Sequence, residues 1–421
     1  MEVLMNYLNR KSEGALFLDK LPPEVLTKIF SFIRDKNELL RLASVCRTWR
    51  DLIHTAPQLW RNIRLKLCCD CECVHRKRAL SCVQRFGCHF RDLSLSCVHH
   101  NNHVSCKFMA MDFRKVLLGL HQTTLTSLKI TDLGLSGAKL STVSGIAHVL
   151  TRMLSSLNCL KSFQMSSAQW PLDEGIKVID TVLTVSRKTL KSLFIDGFFE
   201  PTSLADRPAE FDQVTNGILS LHRLTKLSID YGLLTSAFVS AMSESHAGQL
   251  TTLQLVISGI MDRYLPKVSH KAWLSLTKAC PTLKVAFNVD IWILDPSHSD
   301  LDILDPALPI YKLRLLNGEM YLILTWQAYM IFYVLRYIMN NFSNTLEQFS
   351  GDLSDTDETI DADFLQFVKK CQRLHYIKVS ANFYEPDTVK TVKKLVQERR
   401  RRYDKRKTLE VPEKRAKTTP A

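Results

Sequence analysis

Of the chain's 421 residues 46% are hydrophobic, and 56 Lys and Arg stand against 42 Asp and Glu, for a formal charge of +14. That apolar content is ample for a core and excludes an intrinsically disordered chain, while the length suits two or three ordinary domains or one long repeat array. No charged-then-apolar leader occupies Met1 to Ser12, so secretion is not expected, and the twelve cysteines are expected as reduced thiols or metal ligands.

Residues 1–16 form an N-terminal segment with scattered apolar residues, and the first strong pattern spans 17–65. Pro22 and Pro23 suit a helix's first turn, and Val25, Leu26, Ile29, Phe30 and Ile33 repeat at helical spacing, predicting a helix over Glu24 to Ile33. Asn37 is the expected cap of a second helix, in which Leu39, Leu40, Leu42, Ala43, Val45, Cys46, Trp49, Leu52 and Ile53 cover more than one face. Pro57 ends it, and Leu59, Trp60 and Ile63 begin a third. A unit of this size buries too little area to tolerate so many apolar groups unless a partner covers some of them.

The runs Leu21-Pro22-Pro23-Glu24, Ile29-Phe30, Val45-Cys46-Arg47-Thr48-Trp49 and Leu59-Trp60 resemble an F-box. The resemblance implies docking on the Skp-type adaptor that links such proteins to a cullin–RING ubiquitin ligase. Leu21, Pro22, Leu26, Ile29, Phe30, Leu40, Val45 and Trp49 are the residues expected to face that adaptor or to divide between it and the module's core. Trp60 is expected to pack the third helix onto the body of the protein.

Eight of the twelve cysteines then fall between Cys68 and Cys106, with five histidines among them. Cys68-x-x-Cys71, Cys97-x-x-His100 and His103-x-x-Cys106 have spacings that let a tight turn present two ligands to one zinc ion. Structural zinc held by Cys68, Cys71, Cys97, His100, His103 and Cys106 is one reading. Small core cysteines are the other, since two clean Cys-x-x-Cys pairs are absent and runs such as Cys68-Cys69 and His99-His100 leave the ligand choice open. No other feature requires a cofactor.

From residue 66 to 389 one phrase recurs: an apolar residue, two polar ones, then two apolar residues around a variable position. Its apolar residues are Phe90, Leu93 and Leu95; Leu125, Leu128 and Ile130; Leu160, Phe163 and Met165; Leu190, Leu193 and Ile195. They continue as Leu224, Leu227 and Ile229; Leu250, Leu253 and Leu255; Ile310, Leu313 and Leu315; Leu374, Ile377 and Val379. Weaker copies begin at Leu283 and Leu346, where Asn288 and Gly351 hold apolar positions and predict bulged or shifted strands. Copies start 26 to 36 residues apart, a period that signals long, irregular leucine-rich repeats. Each phrase is read as a strand of a parallel sheet, with Ile63, Leu65 and Leu67 as a lead-in, and helices over Ser144–Leu154, Ile176–Val185 and Phe364–Cys371 return on the outside. The fold class is thus α/β: a three-helix F-box capping a right-handed leucine-rich-repeat solenoid of about ten repeats.

Lys129, Gln164, Phe194, Arg314 and Lys378 lie between inward positions and are expected to face a protein target. Trp170, Phe198, Tyr231, Trp292 and Tyr384 follow the strands as candidate interface anchors. The plan resembles F-box and leucine-rich-repeat substrate receptors. The phrases at Pro281–Val285, Pro309–Leu315 and Cys371–Val379 look more narrowly like the F-box only protein 39 group, which implies the same architecture and an unknown substrate.

Met320 to Leu335 is free of charge, but its sixteen residues fall short of a span, so a buried helix and no membrane are expected. From Lys390 to Ala421 thirteen Lys or Arg face four Asp or Glu, reading as a fraying helix that passes into a disordered basic tail. Its paired clusters resemble a nuclear import signal, and cytoplasm or nucleus is the expected location. Such a tail attracts phosphates without reading bases, and no groove-reading element accompanies it, so nucleic acid is the weaker alternative. Gly134, Gly137 and Lys139 lack phosphate-loop spacing, and no hydrolase or metalloprotease motif is present, so a non-catalytic substrate adaptor is expected.

Overall fold

Every leucine-rich phrase predicted from the sequence forms a strand, because its alternating apolar residues supply one face that only a neighbouring copy can extend. The computed structural model describes residues 21–33, 35–68, 74–98, 107–120, 123–135, 138–200, 211–257, 267–290, 300–316, 327–353, 359–381 and 383–409. The chain divides into two units, Met1–Gln164 and Met165–Ala421.

The first unit opens with helices α1 (Pro23–Ser31), α2 (Lys36–Leu42), α3 (Arg47–Thr55) and α4 (Pro57–Trp60). The expected long second helix is two. Its apolar residues cover more than one face, and the chain breaks after Leu42 through a tight turn in which Val45 N–H donates to the Leu42 carbonyl at 3.1 Å. The cap is Asp35, not Asn37: an Asp35 carboxylate oxygen accepts the Asn37 backbone N–H at 2.9 Å. Cys46 caps α3 through its sulfur, which accepts the Trp49 N–H at 3.4 Å.

Strands β1 (Asn62–Cys68), β2 (Asp92–Val98), β3 (Ser127–Thr131) and β4 (Ser162–Ser166) come next, with helices α5 (Val74–Phe86), α6 (Lys107–Gly119) and α7 (Leu140–Ser155) between them. Strand order follows chain order, and parallel register sets Ile63 beside Leu93 and Leu93 beside Leu128. The F-box-like helices join this stack through Trp60. Its indole N–H donates to the Ile53 carbonyl at 2.7 Å, and its ring stacks on Phe86 of α5 with centroids 3.7 Å apart and planes 4° from parallel. The Lys36 ammonium adds a 2.6 Å bond to the Leu59 carbonyl.

Cys97 sits at an inward position of β2, beside Leu67, and is 1% exposed. Burial pushes its thiol up to about 12, with the charge of Asp132 adding to the effect. Strand alternation aims Cys97, expected among the zinc ligands, into the core with Leu93 and Leu95.

The second unit contains α8 (Leu172–Val185), β5 (Ser192–Phe194), α9 (Phe211–Leu219), β6 (Lys226–Asp230), α10 (Ser236–Ser245), β7 (Thr252–Ile257), α11 (His270–Ala279) and β8 (Lys284–Asp290). It continues with β9 (Ile310–Leu316), α12 (Gln327–Asn341), β10 (Gln348–Leu353), α13 (Asp361–Lys370), β11 (Tyr376–Ala381) and α14 (Pro386–Leu409). Here too the strands are parallel and ordered as in the chain. The irregularity expected at Asn288 is real. Val285, Phe287 and Val289 pair in regular register with the inward Leu253, Leu255 and Ile257 of β7, which turns Asn288 to the other face, and the β8–β9 register shifts at Val285/Ala286. At Gly351 a Cβ would lie 3.1 Å from the Leu315 Cβ, so glycine lets β10 sit close where a larger residue crowds the core.

The basic stretch from Lys390, expected to begin as a fraying helix, is helical and anchored. Helix α14 runs to Leu409, and the Arg399 guanidinium donates to the Val368 carbonyl at 2.8 Å and the Cys371 carbonyl at 3.0 Å, closing the C-terminus of α13. Tyr403 stacks on His375 with centroids 3.9 Å apart. Residues 410–421 lie outside the described residues. Among the described residues no helix is long and apolar enough to cross a membrane, and α12 buries Ile331, Val334 and Leu335.

Trp60→Ala removes a fully buried ring and is expected to destabilise the first unit by about 3–5 kcal/mol in denaturant unfolding. Arg399→Ala is expected to strip hydrogen-exchange protection from the end of α13 and from α14. Arg399→Lys is expected to restore it in part, because Nη1 alone makes both bonds and an ammonium lacks only the Nη2 bond to the Lys369 carbonyl at 3.5 Å. In the native protein, mildly alkaline alkylation is expected to label exposed Cys88 and to spare Cys97 until the protein unfolds.

Candidate functional site

The apolar surplus of the F-box-like segment resolves into two sets. Leu26 and Phe30 of α1 are each 2% exposed and Trp49 of α3 is 4% exposed, with the Phe30 and Trp49 rings edge-on at 5.1 Å. These three were expected among the adaptor-facing residues and are the module's own core instead, because helical spacing turns them toward one another once α3 folds back on α1. Pro22, Leu40 and Val45 remain exposed, and Leu21 and Ile29 are half-buried. Val45 is 61% exposed because the break between α2 and α3 puts it in the turn.

Two further residues join the exposed set. Val25 is 43% exposed and Phe32 is 73% exposed. Phe32 follows α1 as its C-cap, one position outside the helical register that buries Phe30, and the Lys28 ammonium lies 5.5 Å from its ring centroid. The signal was present in the sequence: Ile29, Phe30, Phe32 and Ile33 are too many apolar residues for one face of one helix. A large aromatic held in water, in a module that also exposes Val25, Leu40 and Val45, is the chemistry of protein docking, not of a reaction centre.

The residues expected to face a target divide as well. In the first unit Lys129 is exposed on β3 and Gln164 is half-buried on β4. In the second, Phe194 is half-buried, while Arg314, Lys378 and Tyr384 are exposed. Trp170 and Phe198 are 0% exposed and Tyr231 is 1% exposed, so these three are corrected to core residues. The cause is local backbone. Ser167 and Gln169 adopt φ of 54°, Gly197 adopts φ of 63°, and the Gly197 N–H is held by the Asp230 carboxylate at 2.9 Å. Those turns fold Trp170 and Phe198 back beneath the loops, where Phe198 meets Phe199 edge-on at 5.0 Å and the Trp170 indole N–H donates to the Met165 sulfur at 3.1 Å. Gly175 completes the pocket, since a Cβ there would stand 2.7 Å from the Phe199 ring. Tyr231 packs toward Phe287, with centroids 6.2 Å apart. Trp292 lies outside the described residues.

Of the proposed zinc ligands, Cys71, His100, His103 and Cys106 lie outside the described residues, and Cys68 is known only as the last residue of β1. Among the described residues no group of three or more His, Cys, Asp or Glu is placed to hold a metal ion.

A family model described as F-box-like matches residues 18–66. The chain is similar to the crystal structure of the leucine-rich repeat-containing protein LegL7 from Legionella pneumophila, at 12% identity and a TM-score of 0.40, over 80% of this chain and 97% of that one. It is also similar to the TLR13–ssRNA13 complex, at 12% identity and a TM-score of 0.32, over 80% of this chain and 49% of that one. The chain thus carries an F-box-like domain at residues 18–66, followed by parallel strand–helix units of the leucine-rich-repeat kind.

Proposed function

We propose that this protein is the substrate-recognition subunit of an SCF-type cullin–RING ubiquitin ligase, acting in the cytoplasm or nucleus. The F-box-like helices bind a Skp-type adaptor, and the leucine-rich units bind a protein target for ubiquitination. The observation that carries this reading is the exposure of Val25, Phe32, Leu40 and Val45 on a module whose core is already filled by Leu26, Phe30, Leu39, Trp49 and Ile53. Apolar groups left over after a core is complete lower their free energy by docking, at about 25 cal/mol per Å² of surface removed from water. The role is that of an adaptor and not of an enzyme: binding a target beside a charged ubiquitin-conjugating enzyme raises the local concentration of its lysines, and this proximity supplies the rate enhancement. The narrower likeness of the phrases at Pro281, Pro309 and Cys371 to the F-box only protein 39 group supports the same plan.

Co-purification with the adaptor and cullin tests the reading. The Phe32→Asp/Val45→Asp double variant is expected to lose both partners while the circular dichroism spectrum and unfolding midpoint stay near those of the wild type, since neither side chain is in the core. Undiminished cullin recovery with the variant, or none with the wild type, would sink the proposal.

A further inference from the structure

In the first unit one edge of the sheet is unpaired among the described residues. β1 is hydrogen-bonded to β2 on one side and is the terminal strand on the other. The Arg61 carbonyl accepts the Asp92 N–H at 2.9 Å on the β2 side. Alternation in a parallel ladder therefore turns the backbone groups of Ile63 and Leu65 toward β2, and those of Asn62, Arg64 and Lys66 toward the open edge. All three of these residues are exposed.

A cleft of about 910 Å³ runs beside that edge, between β1, α2 and α5. Among the described residues six cations line it, Lys36, Arg64, Lys66, Lys77, Arg78 and Arg85, with Asp35 the lone carboxylate. Asp35 is already engaged as the cap of α2. Lys36 donates to the Leu59 carbonyl, and the other five cations have no carboxylate partner among the described residues. Like charges gathered around one cleft repel, and an anion placed among them relieves that repulsion. The lining also includes apolar side chains, with Leu40 40% exposed beside buried Ile63 and Leu65.

We propose that the open edge of β1 takes up an extended acidic segment of a partner protein as an added strand. The outward N–H and C=O groups of Asn62, Arg64 and Lys66, unpaired among the described residues, set its register. Period-two alternation then lays one set of its side chains beside Arg64 and Lys66 and the other beside Leu40 and the core edge, so the segment that fits alternates acidic with apolar residues. A nucleic acid would use the cations alone. It has no use for a strand edge, and the two aromatics of the lining, Trp60 and Phe86, are buried and offer no face for base stacking. The inference rests on the strand edge and its cations, which the ligase reading does not use, and the two surfaces share Leu40.

The test is fluorescence anisotropy of the full chain with a fluorescein-labelled peptide alternating aspartate and valine. Saturable binding that weakens with added salt is expected. Arg64→Glu/Lys66→Glu should weaken it roughly tenfold or more, with an unchanged circular dichroism spectrum because both side chains are exposed. N-methylation of alternate peptide amides keeps every charge, removes strand donors, and should cause a comparable loss. Equal binding of the N-methylated peptide overturns strand addition. A single-stranded oligonucleotide that binds as tightly as the peptide overturns the choice of partner. Absence of saturable binding overturns the site and leaves the charged edge as a guard against self-pairing.

Discussion

A parallel strand with a returning helix has an apolar face that it cannot bury by itself, and in this protein only the next copy of the same unit covers it. Leu93 is buried because Ile63 and Leu128 flank it, and Leu227 because Leu193 and Leu253 do. From this dependence come the in-line register, the near-constant spacing of the phrases, and the tolerance of irregular loops between them. Where a copy is imperfect, the neighbours impose the register. Regular pairing with β7 gives β8 three inward apolar residues although the phrase there puts an asparagine in line, and the shift at Val285/Ala286 brings β9 into step. Glycine at position 351 admits Leu315.

The same constraint makes the ends of each unit expensive, because a terminal repeat has no next copy. In the first unit the F-box-like helices cover the helix side of the first repeat, through the stacked pair Trp60 and Phe86, and not the edge of β1. They thereby combine two tasks, burying the first repeat with one set of apolar residues and presenting Phe32 and Val45 with another. In the second unit α14 caps the last helix through Arg399 and stacks Tyr403 on His375, so part of the basic C-terminal stretch serves the fold. Its charge is not wholly available to a partner.

Much of this was legible in the chain. The phrase marks all ten repeat strands because strand alternation and leucine spacing are local, and the lead-in at Ile63 extends the series to β1. The adaptor-facing set was read only in outline. Leu26, Phe30 and Trp49 share residue type and spacing with Val25, Leu40 and Val45, and nothing local separates them. The break between α2 and α3 does so, by rotating α3 back onto α1. The aromatics after the strands were misassigned for a related reason: positive-φ turns at Ser167, Gln169 and Gly197 decide whether Trp170 and Phe198 point outward or beneath a loop.

The sequence by itself determined the class of the molecule: an F-box-like module, a period of about 32 residues, and parallel strands whose inward residues can be named. Those are properties of pattern, and pattern is carried by residues close together in the chain. Tertiary structure alone decided which apolar residues meet water, that Cys97 belongs to the core, that Arg399 closes a helix, and that five cations without a carboxylate partner among the described residues gather beside β1. Each of these depends on where a distant segment comes to rest, since burial and charge pairing are set by neighbours in space that no local spacing specifies.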